Sequence, residues 1–134
     1  MNQQQLTPLH ADGAELYTLG QILLRGKTAF RAYKNQQDWD IICLSNDRKT
    51  TLTVQVKYRT DYSNPNGGIL QFNNPVEFDV LVLINGGDSG NFTTHIFSQS
   101  DLEDCLTNER YLPRGVVNVE QYKDNWQVFD SINA

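Results

Sequence analysis

Polar side chains occupy strand positions of this 134-residue chain where the pattern otherwise calls for apolar ones. Asp40 interrupts the apolar run at residues 39–44 (WDIICL). Gln55 and Lys57 stand two residues apart in residues 50–58 (TTLTVQVKY), where apolar and polar residues alternate. Side chains two apart leave the same face of a strand, so we expect Gln55 and Lys57 to point the same way. A hairpin joining the two runs would bring Asp40 near both.

This combination of residue types suits metal-assisted phosphate chemistry. A carboxylate, a side-chain amide oxygen and a backbone carbonyl are hard ligands for Mg²⁺ or Mn²⁺. A lysine beside the metal stabilises negative charge on a phosphate or lowers the pKa of an attacking water. Glu15, in the first turn of a predicted preceding helix, can add a second carboxylate. The cluster therefore predicts a site that hydrolyses phosphodiester bonds.

In this order along the chain, the residues resemble the PD-(D/E)XK nuclease superfamily. The resemblance rests on Glu15, then Trp39-Asp40-Ile41-Ile42, a turn, and Thr53-Val54-Gln55-Val56-Lys57. It covers residues 11–85 and continues more loosely to Trp126. The superfamily has an αβββαβ core and includes restriction enzymes, Holliday-junction resolvases and some homing endonucleases. Asp40 matches the first acid of its motif, Gln55 the strand acid, Lys57 the lysine and Glu15 the accessory helix acid.

The resemblance implies a role for each residue. Asp40, Gln55 and the carbonyl of Val56 would hold Mg²⁺ or Mn²⁺, Lys57 would orient or activate the water, and Glu15 would hold a further water or ion. The implied substrate is DNA. Since one domain of this size has little surface for reading sequence, a homodimer or higher homo-oligomer is expected.

Two residues depart from the superfamily motif. Trp39 precedes Asp40 where the motif has proline. Gln55 stands where Asp or Glu is usual, which removes one negative charge and should weaken cation binding. Some branches of the superfamily that look catalytic carry Gln-x-Lys.

The first half of the chain predicts a helix followed by three strands. Leu16, Leu19 and Leu23 recur at helical spacing, and Asp12 with Glu15 forms a capping-box pattern, so a helix is expected over residues 12–25. Gly26 then serves as its left-handed C-terminal cap. Strands are expected at residues 28–33, 39–44 and 50–58, the last two forming a hairpin.

The second half predicts a loop, a strand pair and two helices. Residues 60–77 are rich in Pro, Gly and Asn, so they should be mostly loop, and residues 78–84 form a continuous apolar strand buried on both faces. A strand at residues 92–97 precedes a short helix capped by Ser98 or Ser100. Asn118 should cap a closing helix that carries Tyr122, Trp126 and Phe129. The order predicts one α/β domain spanning residues 1–134, a restriction-endonuclease-like αβββαβ core with a mixed central sheet flanked by helices.

Composition narrows the classes of partner. The net charge of −5 argues against a domain that holds nucleic acid by bulk electrostatics alone, though a local basic strip remains compatible with it. No apolar run approaches the ~20 residues of a membrane span. The first residues lack the pattern of a secretory signal. Cys43 and Cys105 are read as reduced thiols, so a cytoplasmic protein is expected.

A basic and aromatic strip follows the motif. Lys57, Tyr58 and Arg59 could hold a phosphate backbone and stack on a splayed base. Solvated charges at a strand end, with Tyr58 in a minor core, explain the same residues. Arg25, Lys27 and Arg31 form a second basic patch, suited to DNA or to the C-terminal helix dipole.

Three functional hypotheses remain open from the sequence. The first is a metal-dependent DNA endonuclease. The second is a nuclease-fold module without catalysis that binds a protein or nucleic-acid partner, which Gln55 and the acidic charge favour. The third is an unrelated α/β scaffold, in which Asp40 and Lys57 are surface residues lying far apart and Glu15 is only a capping acid.

Overall fold

The chain forms a twisted mixed sheet covered on both faces, and the computed structural model describes residues 3–32, 39–65, 68–86 and 90–132. Two α-helices are present in this part, α1 (Gln3–Leu24) and α2 (Gln99–Cys105). The strands are β1 (Thr28–Arg31), β2 (Ile41–Leu44), β3 (Thr51–Thr60), β4 (Leu70–Gln71), β5 (Val80–Gly86), β6 (Phe92–Ser98) and β7 (Tyr111–Leu112). Short 3₁₀ helices at Arg114–Asn118, Glu120–Tyr122 and Trp126–Ile132 follow β7.

Five strands make the central sheet, in the order β1-β2-β3-β5-β6. The predicted hairpin is confirmed, because β2 and β3 pair antiparallel with Ile41 opposite Val54. β3 and β5 are parallel, with Val54 opposite Val80, and β6 returns antiparallel to β5. β5 is the central apolar strand that the sequence predicted, and Val80 to Leu83 are each at most 1% exposed. β4 and β7 pair separately as a small two-stranded sheet.

The alternation of β3 separates two hydrophobic cores. Val54 and Val56 face a core that includes residues of α1 together with Trp126 and Phe129. Leu81 and Leu83, which lie beside Gln55 and Lys57 in the parallel register, face a second core under β4, β7 and the first 3₁₀ helices. Gln55 and Lys57 therefore leave the sheet on the side opposite α1.

α1 begins nine residues earlier than the sequence predicted. Gln, Leu and Ala in residues 3–11 favour helix, and Pro8 removes one main-chain donor without ending it. The prediction of Asp12 as N-cap is wrong, since Asp12 lies inside the helix and its carboxylate contacts Arg31 at 3.3 Å. The C-terminal cap is confirmed, because Gly26 has φ of +82° and its N–H donates to Leu23 O at 2.9 Å.

The predicted closing α-helix is wrong in type, although its burial is right. Tyr122, Trp126 and Phe129 are all at most 8% exposed, but they lie on two short 3₁₀ helices. Asp124, at φ +50°, interrupts the segment between them. Asn118 ends a 3₁₀ helix instead of starting an α-helix. The spacing of the large apolar residues correctly predicts which side chains are buried. The backbone is 3₁₀ and not α-helical because β-branched residues and a residue with positive φ lie between them.

The remaining predicted elements agree with the structure in outline. Ser98 caps α2, its hydroxyl accepting from Asp101 N at 3.2 Å. Residues 60–77 are mostly loop, as predicted, but contain β4, and the described residues between β3 and β5 hold no helix where the αβββαβ order implies one. Tyr33, the last residue of the first predicted strand, lies outside the described residues. In the described part of the chain, no helix has the length and apolarity to cross a membrane.

His95, on β6, is a buried imidazole with one hydrogen bond. It is 1% exposed, and its Nε2 donates to Val117 O at 3.0 Å, while its Nδ1 has no partner among the described residues. Burial lowers the pKa of His95, and the Val117 hydrogen bond offsets part of that effect. The folded chain therefore holds this imidazole neutral at a pH where the unfolded chain protonates it.

We expect acid to destabilise the fold through His95. The unfolded chain binds the extra proton below about pH 6.5, so the free energy of unfolding should fall as the pH drops through this range. Urea unfolding measured between about pH 8 and pH 5 spans the pKa of an unfolded histidine. Over this interval, the free energy of unfolding of His95→Gln should depend less on pH than that of the wild type. His10→Gln, at the other histidine, is the control and should keep the wild-type slope. A wild-type slope in His95→Gln would contradict this account.

Candidate active site

Asp40 lies at the point where β2 and β3 separate. Its N–H donates to Val54 O at 2.7 Å, and its carbonyl accepts from Ala32 N at 2.8 Å. Its Oδ2 accepts from the N–H of Val56 at 2.8 Å. β2 begins one residue later, so the Asp40 side chain takes the position of the next carbonyl in the ladder and satisfies the Val56 donor. The carboxylate is thereby fixed beside the main chain of residues 55–57.

Gln55 and Lys57 flank this anchored carboxylate on β3. Both are half-buried and lie on the same face of the strand. Burial lowers the pKa of Lys57, the positive charge of Arg59 lowers it further, and the negative charge of Asp40 opposes both. Asp40 thus lies near Lys57, contrary to the scaffold hypothesis, in which the two residues lie far apart.

The Asp40 carboxyl balances opposing influences. Burial is the largest and raises its pKa. The Val56 N–H and the positive charges of Lys57 and Arg31 lower the pKa. Burial outweighs these favourable contacts, so the pKa of Asp40 is raised overall, and an added positive charge nearby would lower it.

Glu15 approaches the same region from α1, with Arg31 as its partner. Arg31 Nη2 lies 3.0 Å from Glu15 Oε1 and 3.3 Å from Asp12 Oδ1. Burial raises the pKa of Glu15, the Arg31 hydrogen bond lowers it, and the negative charge of Asp40 raises it again. Glu15 and Asp40 are therefore close enough to repel each other.

Sequence reasoning placed Arg31 in a basic patch with Arg25 and Lys27, and the structure separates these three residues. Arg31 turns to the acids of α1, Arg25 lies over the Trp126 ring at 6.0 Å, and Lys27 is buried. The pairing of Arg31 with Glu15 was missed because the two residues are 16 apart and meet only through the packing of α1 on β1.

Tyr58 and Arg59 leave β3 on opposite faces. The Tyr58 ring packs against His10 of α1 with ring centroids 4.8 Å apart, and its hydroxyl approaches Gly86, where a Cβ would collide with it. Arg59 is exposed on the Lys57 side, and its guanidinium donates to Tyr58 O at 2.9 Å. Lys57 and Arg59 thus form the basic edge of the site, with Tyr58 behind it.

A cleft of about 130 Å³ opens beside Lys57. Its lining residues come from β3 and from the segment leading from β4 to β5: Gln55, Lys57, Gln71, Phe72, Asn73, Glu77 and Phe78. The sequence assigned most of this segment to an uninformative loop. Only the parallel pairing of β3 with β5 places residues 71–78 against Gln55 and Lys57.

The residues present suit a divalent cation of the Mg²⁺ type. Asp40 Oδ2 accepts from Val56 N–H, which leaves Oδ1 as the carboxylate oxygen that a cation could bind, and Gln55 on the neighbouring strand carries an amide oxygen. The raised pKa of Asp40 and that of Glu15 are the effects that a cation would reverse. No group of three His, Cys, Asp or Glu side chains gathers as a metal site within the described ranges. In proteins Mg²⁺ is usually held by one or two carboxylates and several waters.

The architecture matches that of known nucleases. A bacterial homing endonuclease, I-Ssp6803I, superposes with a TM-score of 0.63 at 16% identity, covering 91% of this chain and 91% of that chain. The Holliday junction resolvase Hjc of Archaeoglobus fulgidus gives a TM-score of 0.43 at 15% identity, covering 75% of this chain and 84% of that chain. No protein-family model and no curated protein matches the sequence. The chain has the restriction-endonuclease-like fold that the sequence predicted.

Removing Arg31 should perturb Glu15 in a defined direction. In Arg31→Gln, the hydrogen bond and charge that lower the Glu15 pKa disappear, whereas burial and Asp40 remain, so the pKa should rise further. Carboxyl NMR titration measures this pKa directly. Arg25→Gln is the matched control and should leave it unchanged. Since the ion pair is largely exposed, the stability loss should stay below about 1 kcal/mol. An unchanged Glu15 pKa in Arg31→Gln would contradict the assigned contact.

Proposed function

We propose that this chain is a metal-dependent endonuclease that hydrolyses phosphodiester bonds of DNA. The observation that carries the proposal is the hydrogen bond from Val56 N–H to Asp40, which fixes a carboxylate beside Gln55 and Lys57 where two strands separate. The restriction-endonuclease-like fold supports it, since the homing endonuclease with that architecture is a nuclease by name.

The roles of these residues toward a metal follow from the oxygen donors at the fork, the point at Asp40 where β2 and β3 separate. Asp40 Oδ1, the Gln55 amide oxygen and the Val56 carbonyl would hold Mg²⁺ or Mn²⁺, and Glu15 would orient a coordinated water or a further ion from the α1 side. When bound, the metal supplies positive charge for the reacting phosphate and lowers the pKa of a nearby water. A site with Gln55 in place of a carboxylate depends more heavily on Asp40 for metal affinity.

The chain's own residues position the reactants. A water oxygen bonds to phosphorus as the bond from phosphorus to the leaving sugar oxygen breaks, and the water's proton is transferred so that the leaving oxygen ends as a hydroxyl. Lys57, half-buried beside the anchored carboxylate, orients the water and stabilises the charge growing on the phosphate oxygens. Burial lowers the pKa of Lys57 and reduces its hydration, and a poorly hydrated ammonium interacts more strongly with an anion.

DNA would approach along the basic edge of β3. Lys57 and Arg59 contact the DNA backbone in this proposal. Tyr58, which the sequence placed in the same strip, packs behind them against His10 on the α1 side. With a net charge of −5, the chain relies on this local edge and on the metal. A cytoplasmic location belongs to the same proposal.

A homodimer or higher homo-oligomer is also part of the proposal. α1 is apolar on the face away from its core contacts: Leu9, Leu16 and Leu23 are 48–54% exposed at seven-residue intervals, whereas Ala14 and Ile22 face the core. A helix that is apolar on both faces is typically buried on both. Two active sites in one assembly would allow both strands of a duplex to be cut.

A binding module without catalysis is the second candidate. Gln55 favours it by removing a metal-binding charge, and Arg31 already forms an ion pair with Glu15. Such a module would keep the fold and the basic edge but would not need a cation.

Cleavage assays separate the two candidates. With Mg²⁺ or Mn²⁺, the wild type should cut plasmid or single-stranded DNA, and Asp40→Asn and Lys57→Met should each lose about 10²-fold or more of the rate. Asp40→Asn keeps an oxygen that can accept from Val56 N–H, so the fork should remain folded. Lys49→Met, in the exposed hairpin turn, is the control and should cut like the wild type. Equal rates for all four proteins would overturn the assignment of the site.

Metal affinity tests the role of Gln55 without relying on cleavage. Gln55→Glu adds a charged ligand and should tighten Mn²⁺ binding measured by calorimetry, whereas Gln55→Ala should weaken it. Gln121→Glu adds the same charge at an exposed position of the second 3₁₀ helix and should leave the Mn²⁺ affinity unchanged. If Gln55→Glu and Gln121→Glu change the affinity equally, Gln55 is not a ligand.

A further inference from the structure

The cleft beside Lys57 has the wrong chemistry for a phosphate site. Among the described residues that line it, Lys57 is the one cationic side chain and Glu77 adds a carboxylate, so these residues carry no net positive charge for an anion. The other polar lining groups are carboxamides, which present a donor and an acceptor side by side. This mixture suits a neutral ligand with hydrogen-bonding edges.

Carboxamides and carboxylates are the groups that read nucleobase edges. Asn and Gln pair with the adjacent donor and acceptor of adenine, and a carboxylate accepts from an exocyclic amine. Gln71 and Asn73 are both exposed at the cleft rim, and Gln71 is held in β4 by its pairing with Tyr111. Gln55 is assigned to the metal in the proposed function, so the reading of a base falls to Gln71 and Asn73.

Two aromatic rings back the cleft, which is open on one side. Phe72 and Phe78 are 6% and 7% exposed and pack edge to face with their centroids 5.8 Å apart. The volume of the cleft is about 130 Å³. This is less than the roughly 150 Å³ of an enclosed cavity that holds a benzene ring in another protein. The cleft can therefore take the hydrogen-bonding edge of one heterocycle, with the rest of the ring in the open mouth, and it has no room for a base pair.

From this size and lining, we propose that the cleft binds a single unpaired base of the DNA, next to the phosphate that Lys57 contacts. This inference rests on the proposed nuclease function and specifies its substrate class, which is DNA with an unstacked nucleotide carrying an exocyclic amine at the cleavage site. A base inside a duplex cannot reach the cleft without leaving its stack, so an already unpaired base binds at a lower cost.

The test uses DNA binding with Ca²⁺ in place of Mg²⁺, so that cleavage does not intervene. Fluorescence anisotropy compares three hairpins of one sequence: fully paired, with one bulged adenine, and with an abasic site at the bulge. The wild type should bind the bulged adenine about tenfold more tightly than the abasic bulge. Because both bulges interrupt the duplex in the same way, this difference measures the contribution of the base itself. Gln71→Ala/Asn73→Ala should abolish this preference and leave the affinity for the paired hairpin unchanged.

Matched variants keep the outcomes distinct. Asn46→Ala, in the hairpin turn at the far end of β2 and β3, should bind like the wild type. Equal affinity for the adenine and abasic bulges, or a preference that survives Gln71→Ala/Asn73→Ala, overturns the base site. If the two bulges bind equally but cleavage still depends on Lys57, the base site is wrong and the nuclease function stands. If the protein prefers the adenine bulge but never cleaves DNA, the base site is supported and the nuclease function is wrong.

Discussion

The hydrogen bond between Val56 N–H and the Asp40 carboxylate is the contact on which the site depends. It closes the end of the β2–β3 ladder and holds a charged oxygen beside the residues that follow along β3. A regular continuation of β2 would satisfy the same donor with a main-chain carbonyl and leave no carboxylate there. The site therefore arises because the two strands separate at that residue, and the strand alternation then places Gln55 and Lys57 on the adjoining face.

Charge compensation around this fork is incomplete in the protein alone. Arg31 pairs with Glu15, and the positive charge of Lys57 lowers the pKa of Asp40, yet burial still leaves the pKa of both carboxyls raised. A buried carboxylate short of positive charge is costly to a fold unless another cation offsets it. The same imbalance is useful to a metal site. Gln55 reduces the negative charge of the proposed metal site by one, so this site should bind a cation more weakly than a site with a third acid.

The local pattern of the sequence predicted the anchors of the site, and the packing between distant segments supplied the rest. Alternation along β3 was enough to place Gln55 and Lys57 together, and the hairpin was enough to bring Asp40 beside them. Arg31 and the cleft residues within 71–78 escaped prediction because they reach the site through pairings 16 or more residues apart. The closing segment shows the opposite limit, since apolar spacing predicted its buried side chains but not its 3₁₀ backbone.

The most direct test of the account is the position of a bound cation. In crystals soaked with Mn²⁺, anomalous scattering should show a peak in contact with Asp40 Oδ1 and the Gln55 amide oxygen, at metal-to-oxygen distances of about 2.0–2.6 Å. The Val56 carbonyl should complete the protein ligands. A well-ordered Mn²⁺ bound elsewhere, or none at this fork while Asp40 still accepts from Val56, would contradict the central claim that the strand separation builds a metal site.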